Sequence, residues 1–170
     1  MGRDTSERTA FGAPPPDPEL QRLSPLVGTW RAEEHTQDSV LGPGVPVTST
    51  ESSHWLEGGY FRVQSYETRF GDEPTQAGIN YWYYDSEAKR FRIIFFRNNG
   101  PFSEDGNRYQ GAFAGNELTF EGPARFQYEL DEDGAIKLNP DGTLFVAWWL
   151  RDENGEWKPW MRNTFTRIEG

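Results

Sequence analysis

Apolar and polar residues alternate along most of the chain in runs of five to twelve residues, and turn-forming Gly, Asn, Asp or Pro residues separate the runs. A period of two is typical of strands, because successive side chains of a strand point to opposite faces of the sheet. In residues 54–66, two such runs meet at Gly58-Gly59, a pair that lets the chain reverse as a hairpin requires. The pattern predicts ten strands, at residues 26–35, 45–56, 60–70, 79–85, 90–97, 108–113, 117–121, 125–130, 143–151 and 157–168.

The predicted strands follow one another through tight turns, and no helices alternate with them as a parallel sheet would require. The fold class is therefore all-β, and an antiparallel up-and-down barrel is favoured because closure removes the exposed edges of a large twisted sheet. Asp17-Pro18-Glu19 predicts a short helix, whose Leu20 and Leu23 either cap one end of the barrel or stay in a frayed leader. Residues 1–16 are expected to form a disordered, proline-rich leader before a single domain at residues 17–170.

Composition narrows the classes of partner. Aromatic residues make up 15% of the 170 residues, which suits a pleated sheet, and the absence of Cys excludes disulfides and thiolate chemistry. The formal net charge of −10 would repel a phosphate backbone, so no nucleic acid partner is expected. No stretch approaches the roughly 20 apolar residues that span a bilayer, so we expect no membrane partner and a cytoplasmic location.

Short motifs in a defined order resemble those of known barrels. Gly28-Thr29-Trp30 resembles an element of the calycins, the superfamily of lipocalins, fatty-acid-binding proteins and nitrobindin-type barrels. More closely, residues 55–61, 84–85, 95–96, 157–161 and 166–168 resemble a bacterial family of uncharacterised lipocalin-like domains. The resemblance implies a closed or nearly closed barrel with an internal cavity, and a structural pair in which Arg167 stacks on Trp30 at the barrel floor. The Thr-Asp-Tyr signature of classical lipocalins is absent.

Motifs for cofactors and catalysis are sparse. Nitrobindin-type barrels ligate heme through a His near the chain end, and residues 157–170 contain no His, so no cofactor is expected. Converging metal ligands, nucleophile elbows and phosphate loops are likewise missing from the sequence. Of the two His residues, His54 beside the Gly-Gly corner is the candidate acid–base group if the protein is an enzyme, and otherwise a partly exposed residue at a strand end.

Aromatic strands carry the remaining functional signal. Both faces of residues 79–85 and 90–97 are apolar, which predicts either a homodimer through the sheet face or tolerated exposure of amphipathic rings. Three arginines, Arg92, Arg97 and Arg162, would meet an acidic head group if they face inward. The apolar residues that we predict to line the interior and contact a ligand are Tyr66, Tyr81, Tyr83, Ile93, Phe95, Trp148 and Met161.

These observations favour a protein that binds a small, largely apolar or aromatic molecule inside the barrel, without covalent chemistry. The alternative is a cofactor-free enzyme of the cyclase or isomerase type, which would position such a molecule in the same cavity. A third interpretation is an interaction domain whose aromatic residues fill a core that holds no ligand.

Overall fold

Ten antiparallel strands form one closed barrel in the computed structural model, which describes residues 10–169. The strands are β1 (Gly28–His35), β2 (Pro46–Trp55), β3 (Arg62–Phe70), β4 (Gln76–Asp85), β5 (Arg90–Arg97), β6 (Arg108–Ala114), β7 (Glu117–Glu121), β8 (Arg125–Glu129), β9 (Leu144–Arg151) and β10 (Trp157–Glu169). Each pairs with its neighbour in sequence, and β1 also pairs with β10, which closes the cylinder. The predicted all-β up-and-down barrel is confirmed, while residues 1–9 of the predicted leader lie outside the described residues.

The corner between β2 and β3 shows how local chemistry sets the connections. Gly58 and Gly59 have φ angles of 102° and 80°, a region that residues with a Cβ rarely adopt. The backbone N–H of Leu56 donates to the Phe61 carbonyl at 2.9 Å and closes the turn. Two adjacent glycines therefore allow the tight reversal that brings β2 and β3 into register.

A short 3-10 helix, Pro18–Leu26, closes one end of the barrel. The Asp17 carboxylate caps it by accepting the backbone N–H of Glu19 at 3.0 Å. Leu20, Leu23 and Leu26 are at most 2% exposed, and their spacing of three residues aligns them on one face of a 3-10 helix, which packs into the core. Among residues 10–169, no helix is long and apolar enough to cross a membrane.

One half of the barrel interior is filled by rings from β4, β5, β7 and β8. Trp82, Phe91, Phe120, Phe126 and Tyr128 are each at most 5% exposed. The rings of Phe120 and Phe126 stack at 4.9 Å between centroids, and Trp82 meets Phe120 edge-on at 5.0 Å. These close ring contacts make this half a packed aromatic wall.

The other half, along β1 and β2, has small inward side chains. Ala32, Val47, Ser49 and Ser53 are buried and face the interior. Side chains just fill a barrel of about eight strands, and the interior widens as strands are added. Small side chains therefore line part of the β1 and β2 side of the interior, opposite the aromatic wall.

Large apolar side chains, most of them aromatic, are exposed on the outer face of β4 and β5. Ile79 and Phe96 are 44% and 43% exposed, and Phe102, in the loop after β5, is 53% exposed. Phe96 stacks on Phe102 at 4.9 Å between centroids and meets Tyr81 edge-on at 6.2 Å. We call Ile79, Tyr81, Phe96 and Phe102 the outer aromatic patch.

Candidate ligand site inside the barrel

Five polar side chains point into the barrel from three neighbouring strands, and we call them the interior polar cluster. Glu51 and Ser53 lie on β2, Arg62 and Gln64 on β3, and Asn80 on β4. Gln64 is directly opposite Ser53 on one side and Asn80 on the other. Since cross-strand partners share a face and residues two apart along a strand do too, the register brings these groups together.

Gln64 is the hub of the cluster. Its Nε2 donates to Glu51 Oε2 at 2.7 Å. Its Oε1 accepts from Asn80 Nδ2 at 2.9 Å and from the Trp82 indole N–H at 3.0 Å. Three partners fix the amide, so Glu51 and Asn80 are held in defined positions.

Arg62 is 0% exposed and only partly satisfied. Its Nε donates to Ser53 Oγ at 3.0 Å, and its guanidinium carbon lies 4.6 Å from the centre of the Trp82 ring. Both terminal nitrogens, Nη1 and Nη2, are buried and have no hydrogen-bond partner among the described residues. A buried guanidinium with two unmatched ends is costly, so it calls for a functional explanation.

Three further inward-facing residues carry a buried polar atom without a partner in the described part of the chain. They are Oδ1 of Asn80, the indole Nε1 of Trp148 on β9, and Oδ1 of Asn163 on β10. Trp148 stacks on Phe126 at 4.6 Å between centroids, and Phe126 contacts Trp82, the ring beneath Arg62. The unmatched nitrogens of Arg62 and Trp148 thus lie against rings that face the interior.

Burial shifts the ionisation of the cluster. Burial raises the pKa of Glu51, and the charge of Arg62 and the Gln64 hydrogen bond oppose this shift only in part. Burial also lowers the pKa of Arg62, against the charge of Glu51, and it raises the pKa of Tyr128 nearby. Glu51 itself keeps some accessible surface.

A second arginine lies on a tryptophan at the floor of the barrel, and both terminal nitrogens of this arginine are hydrogen-bonded. The Arg167 guanidinium carbon lies 4.2 Å from the Trp30 ring centre. Its Nη1 donates to the Val27 carbonyl at 2.7 Å and its Nη2 to the Pro25 carbonyl at 3.3 Å. The Trp30 indole N–H donates to the Leu26 carbonyl at 3.0 Å. This geometry ties the 3-10 helix to β1 and β10, as expected of a structural pair.

A family model described as "Protein of unknown function (DUF1579)" matches residues 15–167. The chain belongs to the DUF1579 family. It is also similar to the crystal structure of Rv2717c from M. tuberculosis, with 13% identity, a TM-score of 0.58, and 89% of this chain and 98% of that chain covered. At this identity the likeness concerns the fold alone. A comparison with curated proteins finds no match.

Several of the predicted ligand-binding residues do face the interior of this DUF1579 barrel. Trp148 belongs to the aromatic wall, and Arg97 lies exposed at the end of β5, its guanidinium 5.3 Å from the Phe95 ring. Their contact with a ligand stays a prediction. The inward-facing members of the predicted set are Tyr66, Ile93, Phe95, Arg97, Trp148 and Met161.

Tyr81 and Tyr83 lie on the outer face, which corrects the prediction that they line the interior. Trp82 is buried inside and is directly opposite Ile93, so its two neighbours along β4 must point outward. Tyr81 contacts Phe96 on the outside. Both faces of β4 are apolar, and the larger Trp82 takes the inner one.

Two predicted arginines and His54 are outside as well. Arg92 Nε pairs with Asp85 Oδ2 at 2.9 Å, and Arg162 lies exposed with its guanidinium carbon 5.6 Å from the Phe145 ring. His54 is exposed on the outer face of β2, since its neighbour in sequence faces inward. His54 therefore does not reach the interior as an acid–base group. Within residues 10–169, no group of three or more His, Asp or Glu residues is arranged to hold a metal ion.

The interior polar cluster itself was missed from the sequence. Arg62, Gln64 and Tyr66 alternate with residues of the opposite face, and Glu51 and Ser53 do the same on β2. Such alternation is the available signal, but it also describes the solvent-facing side of a strand. Only the closed barrel shows that these polar faces point inward.

Proposed function

We propose that this DUF1579 barrel binds a small, largely apolar or aromatic molecule in its interior. The observation that carries the proposal is that buried nitrogens of Arg62 and Trp148, which have no hydrogen-bond partner in the described part of the chain, lie against packed rings, Arg62 on Trp82 and Trp148 on Phe126. Small-molecule sites are mostly apolar pockets with a few placed polar groups, and this arrangement has both components.

Because the 3-10 helix closes one end of the barrel, we propose that a ligand enters through the other end. Leu20, Leu23 and Leu26 close the floor, so a ligand would enter where β3 ends and β10 begins. At that end Phe70 stacks on Trp160 at 5.4 Å between centroids, with an angle of 17° between the rings. We propose that these two half-buried rings border the mouth.

A binding role is proposed in preference to catalysis. The enzyme alternative used His54 or a Tyr for proton transfer, and the His54 side chain lies outside the barrel wall. Within the interior polar cluster Glu51 is the member that can exchange a proton, while the amide and guanidinium groups do not do so near neutral pH and are suited to holding a ligand.

A variant with a larger inward side chain tests the proposal, because it fills part of the interior. The neutral fluorophore N-phenyl-1-naphthylamine should bind the wild-type protein in a saturable manner with one equivalent per chain, measured by its fluorescence increase. Ser49→Leu enlarges an inward side chain on the β1 and β2 side of the interior. It should weaken binding of the fluorophore at least about 10-fold, because a closely packed interior does not accommodate even small increases in side-chain volume.

Thr48→Leu is the matched control, since Thr48 is the exposed neighbour of Ser49 and faces outward. It should bind the fluorophore like the wild type. Circular dichroism checks that both variants fold. The proposal fails if the wild type shows no saturable binding, or if Ser49→Leu binds as tightly as Thr48→Leu. Native mass spectrometry of the freshly purified wild type then identifies any co-purified molecule.

A further inference from the structure

We infer that two copies of this chain form a symmetric dimer through the outer face of β4 and β5, with the strands of one copy lying over those of the other in the reverse direction. The interface is the outer aromatic patch together with the apolar side chains that adjoin it, and it does not depend on a ligand inside the barrel. The adjoining outward residues are Phe61, Val63, Tyr83 and Ile94.

Large rings elsewhere on the outer surface are covered by arginines. The guanidinium carbons of Arg125 and Arg151 lie 5.1 Å and 4.2 Å from the ring centres of Trp149 and Trp157. The stem of an arginine covers apolar surface while its charged end stays in water. Among the described residues, no arginine or lysine lies over a ring of the outer aromatic patch, so this apolar surface is left for another molecule to cover.

The exposed apolar area is sufficient for a small dimer interface. Ile79, Phe96, Phe102 and Phe61 are 44%, 43%, 53% and 37% exposed. With about 200 Å² for a fully exposed side chain of this size, the four together expose about 350 Å². A specific interface at the lower end of the usual range, about 1,200 Å² in total, contains about 340 Å² of non-polar area per partner. The patch therefore supplies the apolar core that such a dimer needs.

Two charges without ion pairs lie beyond opposite ends of the patch. Arg90, at the start of β5, is exposed, and Asp85 opposite it pairs with Arg92 at 2.9 Å. Asp105 is exposed in the loop that follows the Phe102 ring. Neither Arg90 nor Asp105 has an ion pair among the described residues. The patch thus has a cation that is free to pair at one end and an anion at the other.

These charges favour a second copy as the partner. Homodimers are usually symmetric about a two-fold axis, so the same patch meets itself. When the strands reverse about the central pair of Tyr81 and Ile94, Arg90 of each copy lies over Asp105 of the other. The net charge of −10 opposes association, and two such pairs at the rim counter this repulsion locally and fix the orientation.

Sedimentation velocity of the full chain tests the interface. In about 0.15 M salt, the wild type should show a monomer–dimer equilibrium in the micromolar range. Phe96→Ser should weaken association at least about 10-fold, because truncating a central aromatic residue removes a large share of the binding energy of an interface. Leu41→Ser is the control, since Leu41 is 73% exposed between β1 and β2, away from the patch, and this variant should associate like the wild type. Circular dichroism checks that both variants fold.

Charge reversal tests the orientation. Arg90→Glu and Asp105→Arg should each weaken association at least about 5-fold, because each creates two like-charge contacts across the dimer. An equimolar mixture of the two variants should form a heterodimer of about wild-type strength, since both contacts are then restored as opposite charges. A monomeric wild type, or a dimer that Phe96→Ser weakens no more than Leu41→Ser does, would overturn the inference. If the mixture associated as weakly as the separate variants, the reversed arrangement of strands would be wrong.

Discussion

Replacing Arg62 by Met should cost little folding stability, whereas the same change at Arg167 should cost much more. The two residues form a matched pair, since each lies on a tryptophan, at 4.6 Å from the Trp82 ring and 4.2 Å from the Trp30 ring. They differ in their hydrogen bonds. Both terminal nitrogens of Arg167 donate to carbonyls, whereas neither terminal nitrogen of Arg62 has a partner among the described residues.

The magnitudes follow from these contacts. Arg62→Met loses one charged hydrogen bond, to Ser53, worth about 1.5–3 kcal/mol, and a cation–π contact worth about 0.5–2 kcal/mol. It also removes a fully buried charge, whose desolvation costs several kcal/mol, and Met keeps most of the apolar stem. Met also removes the positive charge that opposes the burial of Glu51, so the comparison is made at about pH 4, where the raised pKa of Glu51 leaves that acid protonated. There the two sides nearly cancel, and the expected change in the free energy of unfolding is within about 1 kcal/mol. In Arg167→Met no terminal nitrogen without a partner is removed, and the carbonyls of Val27 and Pro25 lose their donors. We therefore expect the free energy of unfolding to fall by about 2–4 kcal/mol.

Guanidinium chloride unfolding measures both variants. Far-ultraviolet circular dichroism is the better signal, because either substitution changes the surroundings of a tryptophan and therefore its fluorescence. Slopes equal to that of the wild type would confirm that the unfolded states are comparable. If Arg62→Met lost as much stability as Arg167→Met, Arg62 would be a structural residue. Its terminal nitrogens would then no longer support a role in binding.

Three further predictions concern the floor, the buried acid and the outer surface. Leu23→Ala should lower the free energy of unfolding by about 2–5 kcal/mol, because Leu23 is 0% exposed in the helix that closes the barrel, whereas exposed Gln21→Ala should leave it unchanged in the same assay. Because burial raises the pKa of Glu51 in the folded state, wild-type stability relative to Glu51→Gln should be greatest at acidic pH and fall as pH rises through that pKa; parallel stability curves from pH 4 to 8 would contradict this. We propose that the outer aromatic patch mediates a homodimer, so sedimentation at high micromolar concentration should show a dimer that Phe96→Ser dissociates, and a monomeric wild type would refute it.

The strands were predictable because their signals are local. The period of two and the turn residues place β5 and β7 at the same bounds as the structure does, residues 90–97 and 117–121. β4 begins earlier than predicted, at Gln76, because Gln76, Ala77 and Gly78 have weak strand propensity and are recruited by pairing with β3. The helix was also predictable, since its cap and the spacing of Leu20 and Leu23 lie within a few residues of each other.

The faces of the strands were not predictable in the same way, because register is a non-local property. Predicting both Tyr81 and Ile93 as inward conflicts with their pairing, since Ile93 is opposite Trp82 and Tyr81 is opposite Ile94. Where both faces of a strand are apolar, the alternation alone does not select the buried one. The choice depends on which side chains pack across the closed barrel, and here the Trp82 ring fits between Arg62 and Phe126.

The polar interior was hidden for a related reason. Arg62 and Gln64 are separated by one residue, as polar residues are on the solvent face of many strands, and barrel closure rather than composition determines that they point inward. Once buried, each polar group needs a partner. Gln64 has three, but the terminal nitrogens of Arg62 have none among the described residues.

The contrast between the two arginines carries the strongest argument for function. Among the described residues two arginine–tryptophan stacks face the barrel interior, and at Arg167 both terminal nitrogens donate to backbone carbonyls. The fold is therefore able to satisfy a guanidinium on a tryptophan where the role is structural, although Arg167 is partly exposed and Arg62 is fully buried. At Arg62 both terminal nitrogens are buried and have no hydrogen-bond partner in the described part of the chain, and the charge of Glu51 acts on the guanidinium without a hydrogen bond to either of them. Buried polar groups in native interiors nearly always have partners, and departures from this rule are expected mainly at functional sites, so the unsatisfied Arg62 supports the proposed binding role.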